Sequence, residues 1–544
     1  MEKRKKQFRG IIKSLVVILI AVFITVAFTN GEDSFKSLYT KIQIFSTIVD
    51  RIHRDYVEKI DPETLIDYAI KGVVSQLDPH SSYFTIDQYE EWSKRYEGYT
   101  GIGITFDIIR DKITIISVVP GGPASRAGLL PGDRIIAIEG QPVIGIKRDQ
   151  APDRISGPEG TKVRLTIARN GCPKPLNFNI IRQQIHIESI PYVFMIRPGI
   201  GYIGIVRFSS TTGDELEKAL QKLESMGMKH LILDLRNNGG GYFKAAIDVV
   251  DKFLPPGKKI VYTKGRTRES LREYYSTRKH THPRLPVTCL INRISASASE
   301  IVAGALQDWD RALIVGETSF GKGLIQSQYR FRDGSALLLT TAKYYTPSGR
   351  PIQRPYENKT DFEYFAEIIN DTLRSKWENN NKFKYYRTMI LRRKIRGGGG
   401  IRPDIHFKSK HDGFAPAIAK MVNSHDRPFF TFIEKYMNNY KDLTKIDQNY
   451  FLRNYSPNSK VLKEFLRYVR RLGFKITNKE FVDNKKDIQF LLKQEIAERL
   501  WGSKVRFKVQ MMRDQQLLES LLYLREAEKL LLSAYHIFPQ PNTH

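Results

Sequence analysis

Apolar and polar positions follow five successive rhythms along the chain. Ile11 to Thr29 is an apolar stretch, uncharged apart from Lys13, and from Leu15 it is almost wholly Val, Ile, Leu, Phe and Ala. Its length lies between a signal peptide's core and a spanning helix. Lys3, Arg4, Lys5, Lys6 and Arg9 form a basic flank, and Val26-Ala27-Phe28-Thr29-Asn30 lacks the small residues of a cleavage site. The pattern over residues 1–33 predicts an uncleaved single-pass anchor in a bacterial inner membrane, with the rest of the chain on the extracytoplasmic side. Residues 34–97 read as helices: Ile42, Phe45, Val49 and Ile52 make one stripe, and Leu65, Tyr68, Ala69 and Val73 a second, behind a start signal at Asp61-Pro62-Glu63.

Residues 98–185 change to short strands separated by glycine turns. From 186 to 425, short strands and helices alternate over Ile200–Arg207, Asp214–Met226, His230–Leu235 and Phe243–Phe253, which predicts an α/β core. A charged and polar stretch at about 355–396 reads as an insertion in it. Residues 426–544 return to helical spacing, at Val461–Leu472, Lys485–Leu500 and Gln515–Tyr535, with many lysines and arginines. The fold class is therefore α+β and multidomain. The last segment is an appendage suited to an adaptor or to homo-oligomer formation.

The 544 residues are enough for two to four domains, and 41% hydrophobic with 11% aromatic content excludes a disordered chain. Cys172 and Cys289 are too few for a disulfide framework. The formal charge of +29 would suit nucleic acid, anionic lipid or an acidic polypeptide. No nucleic-acid motif accompanies it, and the basic residues are spread over helices, so nucleic acid is not an expected partner. Attraction to a membrane surface is the simpler reading.

Candidate chemistry concentrates between Leu285 and Gln326. An apolar run, Pro286 to Ile291, meets the helical spacing of Ile301, Ala305 and Leu306 through Asn292-Arg293-Ile294-Ser295-Ala296-Ser297-Ala298-Ser299-Glu300. A hydroxyl cluster thus sits where a strand becomes a helix, and free N–H groups at a helix start help to hold an anion. Lys322 lies between Gly321 and Gly323, beside Phe320, Leu324 and Ile325. A lysine acts as a base if burial keeps its amine neutral. Plainer readings compete. Ser297 and Glu300 fit a helix capping box. Gly316 to Lys322 nearly matches a phosphate loop, but Gly323 stands where magnesium needs Ser or Thr, and Leu324 to Arg332 reads as strand. Asp78 and His80 fit a side-chain-capped turn.

Asn292 to Glu300, with the lysine 25 positions after Ser297 and Gln326 four beyond it, resembles the active site of the C-terminal processing peptidases, or tail-specific proteases, which are Ser/Lys endopeptidases. The resemblance implies Ser297 as nucleophile, Lys322 as general base and Gln326 as the residue orienting the lysine. It implies oxyanion donors at Ala298 and, through Asp234-Leu235-Arg236-Asn237-Asn238-Gly239-Gly240-Gly241, at Gly240. Gly239 stands where the family more often has proline. Gly101-Ile102-Gly103-Ile104 and Gly128-Leu129-Leu130-Pro131-Gly132-Asp133-Arg134-Ile135 resemble a PDZ domain, which implies that Gly101 to Ile104 bind the carboxylate of an extended peptide with an apolar last residue. Ser156 replaces a common family arginine, which puts coupling between that domain and the lysine in question. Tyr344 to Arg350 and Gly397 to Asp404 also match family positions, and the implied core is crotonase-like. Flexible C-terminal tails are the implied substrates, with neither metal nor cofactor. The competing class is a non-catalytic PDZ scaffold on an inactive protease fold.

Overall fold

The strands His230–Asp234, Val287–Ile291 and Leu313–Gly316 are mostly apolar and buried along their whole length, because both faces of their sheet are covered. The computed structural model describes residues 32–278, 281–379, 383–407 and 413–537. These described residues fall into two compact units, one up to residue 86 together with 328–339, and the other made of those in 87–327 and from 340 onward.

In the smaller unit, helices Glu32–Asp55 and Pro62–Val74 precede the strand Ser82–Phe84, which pairs antiparallel with Ala336 to Leu338. Asp61 caps the second helix at Thr64 N–H, and Pro62 occupies a first-turn position where its missing N–H costs nothing. Asp78 accepts from His80 N–H and Ser81 N–H, both at 3.0 Å, and from the Ser81 hydroxyl at 2.7 Å, so it closes a turn.

The expected single-pass membrane placement is corrected. Among the described residues no helix is long and apolar enough to cross a membrane. The long helix Glu32–Asp55 carries Lys41, Asp50, Arg51, Arg54 and Asp55, each of which would cost about 3 kcal/mol at the centre of a bilayer. The predicted span Ile11 to Thr29 lies outside the described residues.

The larger unit is organised on a six-stranded sheet in the order Tyr192–Arg197, Ile200–Gly204, His230–Asp234, Val287–Ile291, Leu313–Gly316, Ile405–His406. Its first pair is antiparallel and the rest are parallel. Because side chains alternate across a strand, Ile203, Leu231, Leu233, Cys289 and Ile291 face the helices Thr212–Ser225, Phe243–Asp251 and Ala298–Asp308. Tyr202, Ile232, Leu290 and Val315 face the other way. They are covered by Met511, Leu517 and Ala527, from the helices Ser503–Met511, Gln515–Ser520 and Leu524–Ile537. The helices from Ser503 to Ile537 thus supply the third layer around this sheet.

A separate sheet runs in the order Ile104–Ile109, Lys112–Val118, Arg134–Ile138, Lys162–Ala168, Leu176–Ile181 around its own core of Ile113, Ile115, Leu129, Ile135 and Leu165. Ile104–Ile109 is an edge strand. A third core, with Phe429, Phe432, Phe465, Ile488 and Leu492, holds together the helices Pro428–Asn439, Ser459–Arg471 and Lys485–Trp501. This helical body grips the PDZ-like sheet through Glu434, which bonds Arg134 at 2.8 Å and the Asn170 side chain at 2.6 Å. The stretch predicted as an insertion contains the helices Asp361–Ile369 and Asp371–Glu378, the first begun by a Thr360–Glu363 capping box.

Candidate active site

Of the three serines at the strand-to-helix junction, two are already engaged. The Ser295 hydroxyl donates to the Leu235 carbonyl oxygen at 2.8 Å, and the Ser299 hydroxyl to that of Asn238 at 2.9 Å. Both residues are fully buried, whereas Ser297 is only half-buried. Ser297 opens the helix Ala298–Asp308 with φ 54° and ψ −112°, a conformation that costs a non-glycine residue about 1–3 kcal/mol. The surrounding bonds hold it there. Ala298 is the helix's first residue, so its N–H has no intrahelical partner and remains a donor beside Ser297.

Glu300 binds this turn to the lysine loop. Its Oε2 accepts from Ser297 N–H and from Lys322 N–H, each at 2.9 Å, so twice that distance bounds the separation of the two nitrogens. Its Oε1 accepts from Gly321 N–H at 2.7 Å and from the Ser319 hydroxyl at 2.5 Å. Burial pushes the Glu300 carboxyl up to about 7, against the hydrogen bonds from Ser319, Gly321, Lys322 and Ser297. Tyr344, also buried, reaches the Ser297 carbonyl oxygen at 3.1 Å and that of Lys322 with the same hydroxyl. Burial first, then the Glu300 charge, raises the Tyr344 phenol well above its ordinary value. The capping-box reading therefore names a real contact, the Glu300 carboxylate on Ser297 N–H, but not its extent. The Glu300 N–H bonds the Ser297 carbonyl oxygen at 2.9 Å.

Lys322 is half-buried, and its Nζ donates to Gln326 Oε1 at 2.7 Å. A strand, Leu324–Arg330, follows it, where a phosphate loop would need a helix. Gly323 lets the backbone come close: a Cβ there would lie 2.6 Å from the Gln353 nitrogen. Phe320 packs against Tyr364 and Phe365 of the helix Asp361–Ile369, which brings the insertion beside the lysine loop.

The loop after His230–Asp234 reaches the same place. Asn238 accepts Ala296 N–H on its backbone oxygen at 3.0 Å, and its side chain donates to the Ile205 carbonyl oxygen at 2.8 Å. Gly240 has φ 103°, and a Cβ on it would sit 2.8 Å from the Ser297 Cβ and 3.1 Å from the Ala298 nitrogen. Here the structure adds a detail that spacing did not carry. Gly240 N–H donates to the Asn238 side-chain oxygen at 2.8 Å, so this donor is engaged within its own loop. Gly101 to Ile104 lie apart from this cluster, at the start of the PDZ-like edge strand. The carbonyl oxygens of Ile102 and Gly103 are tied to Ala124 N–H and Val119 N–H, both at 2.9 Å.

Glu300 and Tyr344 join both halves of the site, although their sequence contexts point to no more than a cap and a family-matching position. A buried carboxylate at the third helix position is indistinguishable in sequence from an ordinary capping glutamate. Among the described residues no group of three or more His, Cys, Asp or Glu is placed to hold a metal ion.

Residues 199–363 match the model of peptidase family S41, and residues 114–169 that of a PDZ domain. Residues 425–502 match a family of unknown function. The chain is 38% identical over 349 residues to a carboxy-terminal-processing protease of Bartonella bacilliformis, covering 63% of this chain and 78% of that one. It is 34% identical over 357 residues to the carboxy-terminal processing protease CtpA of Bacillus subtilis, covering 64% and 76%. Among solved structures, a photosystem II D1 C-terminal processing protease is 24% identical with a TM-score of 0.35, over 71% of this chain and 97% of that one. With 38% identity over a stretch that covers 78% of such a relative, this chain belongs to the carboxy-terminal processing proteases of peptidase family S41 and is a serine-type peptidase.

Proposed function

We propose that the chain is a Ser/Lys endopeptidase that cleaves proteins at exposed, flexible C-terminal tails held by its PDZ domain. One observation carries the reading: a single buried carboxylate oxygen of Glu300 bonds the backbone of Ser297 and of Lys322 together. In this mechanism the Ser297 hydroxyl attacks the scissile carbonyl while neutral Lys322 takes its proton. Gln326 holds the amine in place. The ammonium then gives the proton to the leaving amine, and water releases the acyl group by the reverse sequence. Ala298 N–H faces the oxyanion, and Gly240 N–H joins it once released from Asn238. The edge strand Ile104–Ile109 offers an unpaired side for an extended tail, with the N–H groups of Gly101 to Ile104 taking the terminal carboxylate.

The test compares the full chain with Ser297→Ala and Lys322→Ala on an unfolded substrate ending in apolar residues. Each variant is expected to lose roughly 10³-fold or more in kcat, and a chelator to leave the unaltered chain active. Full cleavage by both variants would remove the mechanism. Loss of tail dependence on substituting Ile102, with kcat kept, separates the PDZ role from the chemistry.

A further inference from the structure

The Asp234–Gly241 loop is held on one side by the nucleophile turn and on the other by the end of the chain. Arg236 is the hinge of that second attachment. Its Nη1 and Nη2 bond the two carboxylate oxygens of Asp514 at 2.8 and 2.7 Å, and Nη1 also reaches Gln516 Oε1 at 3.1 Å. Its Nε bonds both Asp234 oxygens at 3.0 Å. The Arg236 side chain is 10% exposed and that of Asp514 16%. A two-pronged, mostly desolvated pair of this kind fixes orientation as well as position. Asp514 also caps the helix Gln515–Ser520 by accepting Leu517 N–H at 2.9 Å, so the ion pair is continuous with a rigid element.

Asp514 lies beyond both the peptidase match, which ends at 363, and the match that ends at 502. Three residues separate Arg236 from Gly240, and the anchors between them belong to the nucleophile turn. Asn237 and Asn292 exchange hydrogen bonds at 3.0 and 2.8 Å, and Asn238 holds Ala296 and Ser299. Asp234 ties Arg236 to the sheet, where its carboxylate also accepts from the Tyr202 hydroxyl at 2.8 Å, whereas Asp514 ties the same guanidinium to the helices laid over that face. We propose that Asp514 is a positioning residue of the peptidase: it holds Arg236, and with it the oxyanion loop, in register with Ser297. The C-terminal extension is on this view a working part of the catalytic unit. The role given to the loop rests on the Ser/Lys reading above, and a misplacement of about 1 Å in such a site costs on the order of 10²-fold in rate.

Asp514→Ser tests it, since serine keeps the helix cap while removing the bidentate acceptor. Asp447→Ser is the control, because Asp447 caps another extension helix at Tyr450 N–H without touching the loop. The expected result is a fall in kcat of about tenfold or more for Asp514→Ser, with KM unchanged. Labelling of Ser297 by a serine-reactive phosphonate should slow in parallel, Asp514→Glu should recover part of the rate, and Asp447→Ser should behave as the unaltered chain. Arg236→Gln with Asp514→Ser should be no slower than Arg236→Gln alone. If Asp514→Ser does not fold, Asp514→Asn is judged by the same criteria. Turnover by Asp514→Ser equal to the unaltered chain, or a loss no larger than that of Asp447→Ser, overturns the proposal. Ser297→Ala, inactive in the same assays, shows that such a failure concerns Asp514 alone; an active Ser297→Ala fells the Ser/Lys reading instead.

Discussion

At the scale of single residues, two positions concentrate the constraints of the site. Gly240 combines a positive φ with a close approach to Ser297 and Ala298. Gly240→Ala should therefore lose roughly 10²-fold in kcat, by displacing the nucleophile turn, and about 1–3 kcal/mol of stability through backbone strain. Steady-state kinetics and thermal unfolding measure the two effects. Glu300 is the other. Its carboxyl titrates at about 7 when folded and near its ordinary 4.5 when unfolded. Between those values the folded chain holds a proton that the unfolded chain has lost, so this group's contribution to stability falls as pH rises from about 4.5 to about 7 and then levels off. Glu300→Gln should abolish that slope in denaturant melts taken across this range. It should also lower stability by about 2 kcal/mol, because its amide turns donors toward backbone N–H groups. An unchanged slope would mean that the carboxyl titrates elsewhere.

At the scale of elements, the helix Pro428–Asn439 is seated on the PDZ-like sheet by a buried charge. Glu434 is 5% exposed on its side chain and pairs with Arg134, with Asn170 completing its acceptors. Burial raises its carboxyl pKa, while Arg134 and Arg499 oppose that rise. Removing one member of such a pair strands the other. Arg134→Ala should cost about 3 kcal/mol and speed deuterium exchange in Arg134–Ile138 and Pro428–Asn439 together. Faster exchange in only one of them would mean that the two elements are not held by this contact.

At the scale of the molecule, the protease core is a three-layer sandwich whose third layer is supplied by residues after 502. Without the helices from Ser503 onward, Tyr202, Ile232, Leu290 and Val315 would face water. Each such side chain contributes about 1.5–3 kcal/mol by burial. A chain ending at Gly502 should therefore be poorly soluble and bind a hydrophobic dye strongly. A soluble product with an unchanged thermal midpoint would show that this layer is dispensable. An extension that first looks suited to an adaptor thus closes the chain's own core.

Much of the site was legible because its chemistry is carried by local signals. The junction Ile291 to Ser299, the isolated Lys322 and the run Asp234 to Gly241 each announce a turn at a strand end, and their order and spacing are those of a known peptidase family. Ser297 is singled out among three serines by the family resemblance, and the structure adds that the hydroxyls of Ser295 and Ser299 are already given to the carbonyl oxygens of Leu235 and Asn238. The tie between the serine and lysine loops passes through Glu300 and Tyr344, whose sequence contexts look ordinary. The seating of the last helices on the sheet was invisible to periodicity, since an amphipathic stripe says that a face is buried and not what buries it. Sequence by itself determined the local elements and the candidates for the chemistry, because elements follow from residue type and spacing along one stretch and the candidates from a family resemblance carried by short motifs. Only the tertiary structure decided which distant carboxylates, Glu300 and Asp514, hold those groups, because burial and hydrogen-bond partners arise where remote segments meet.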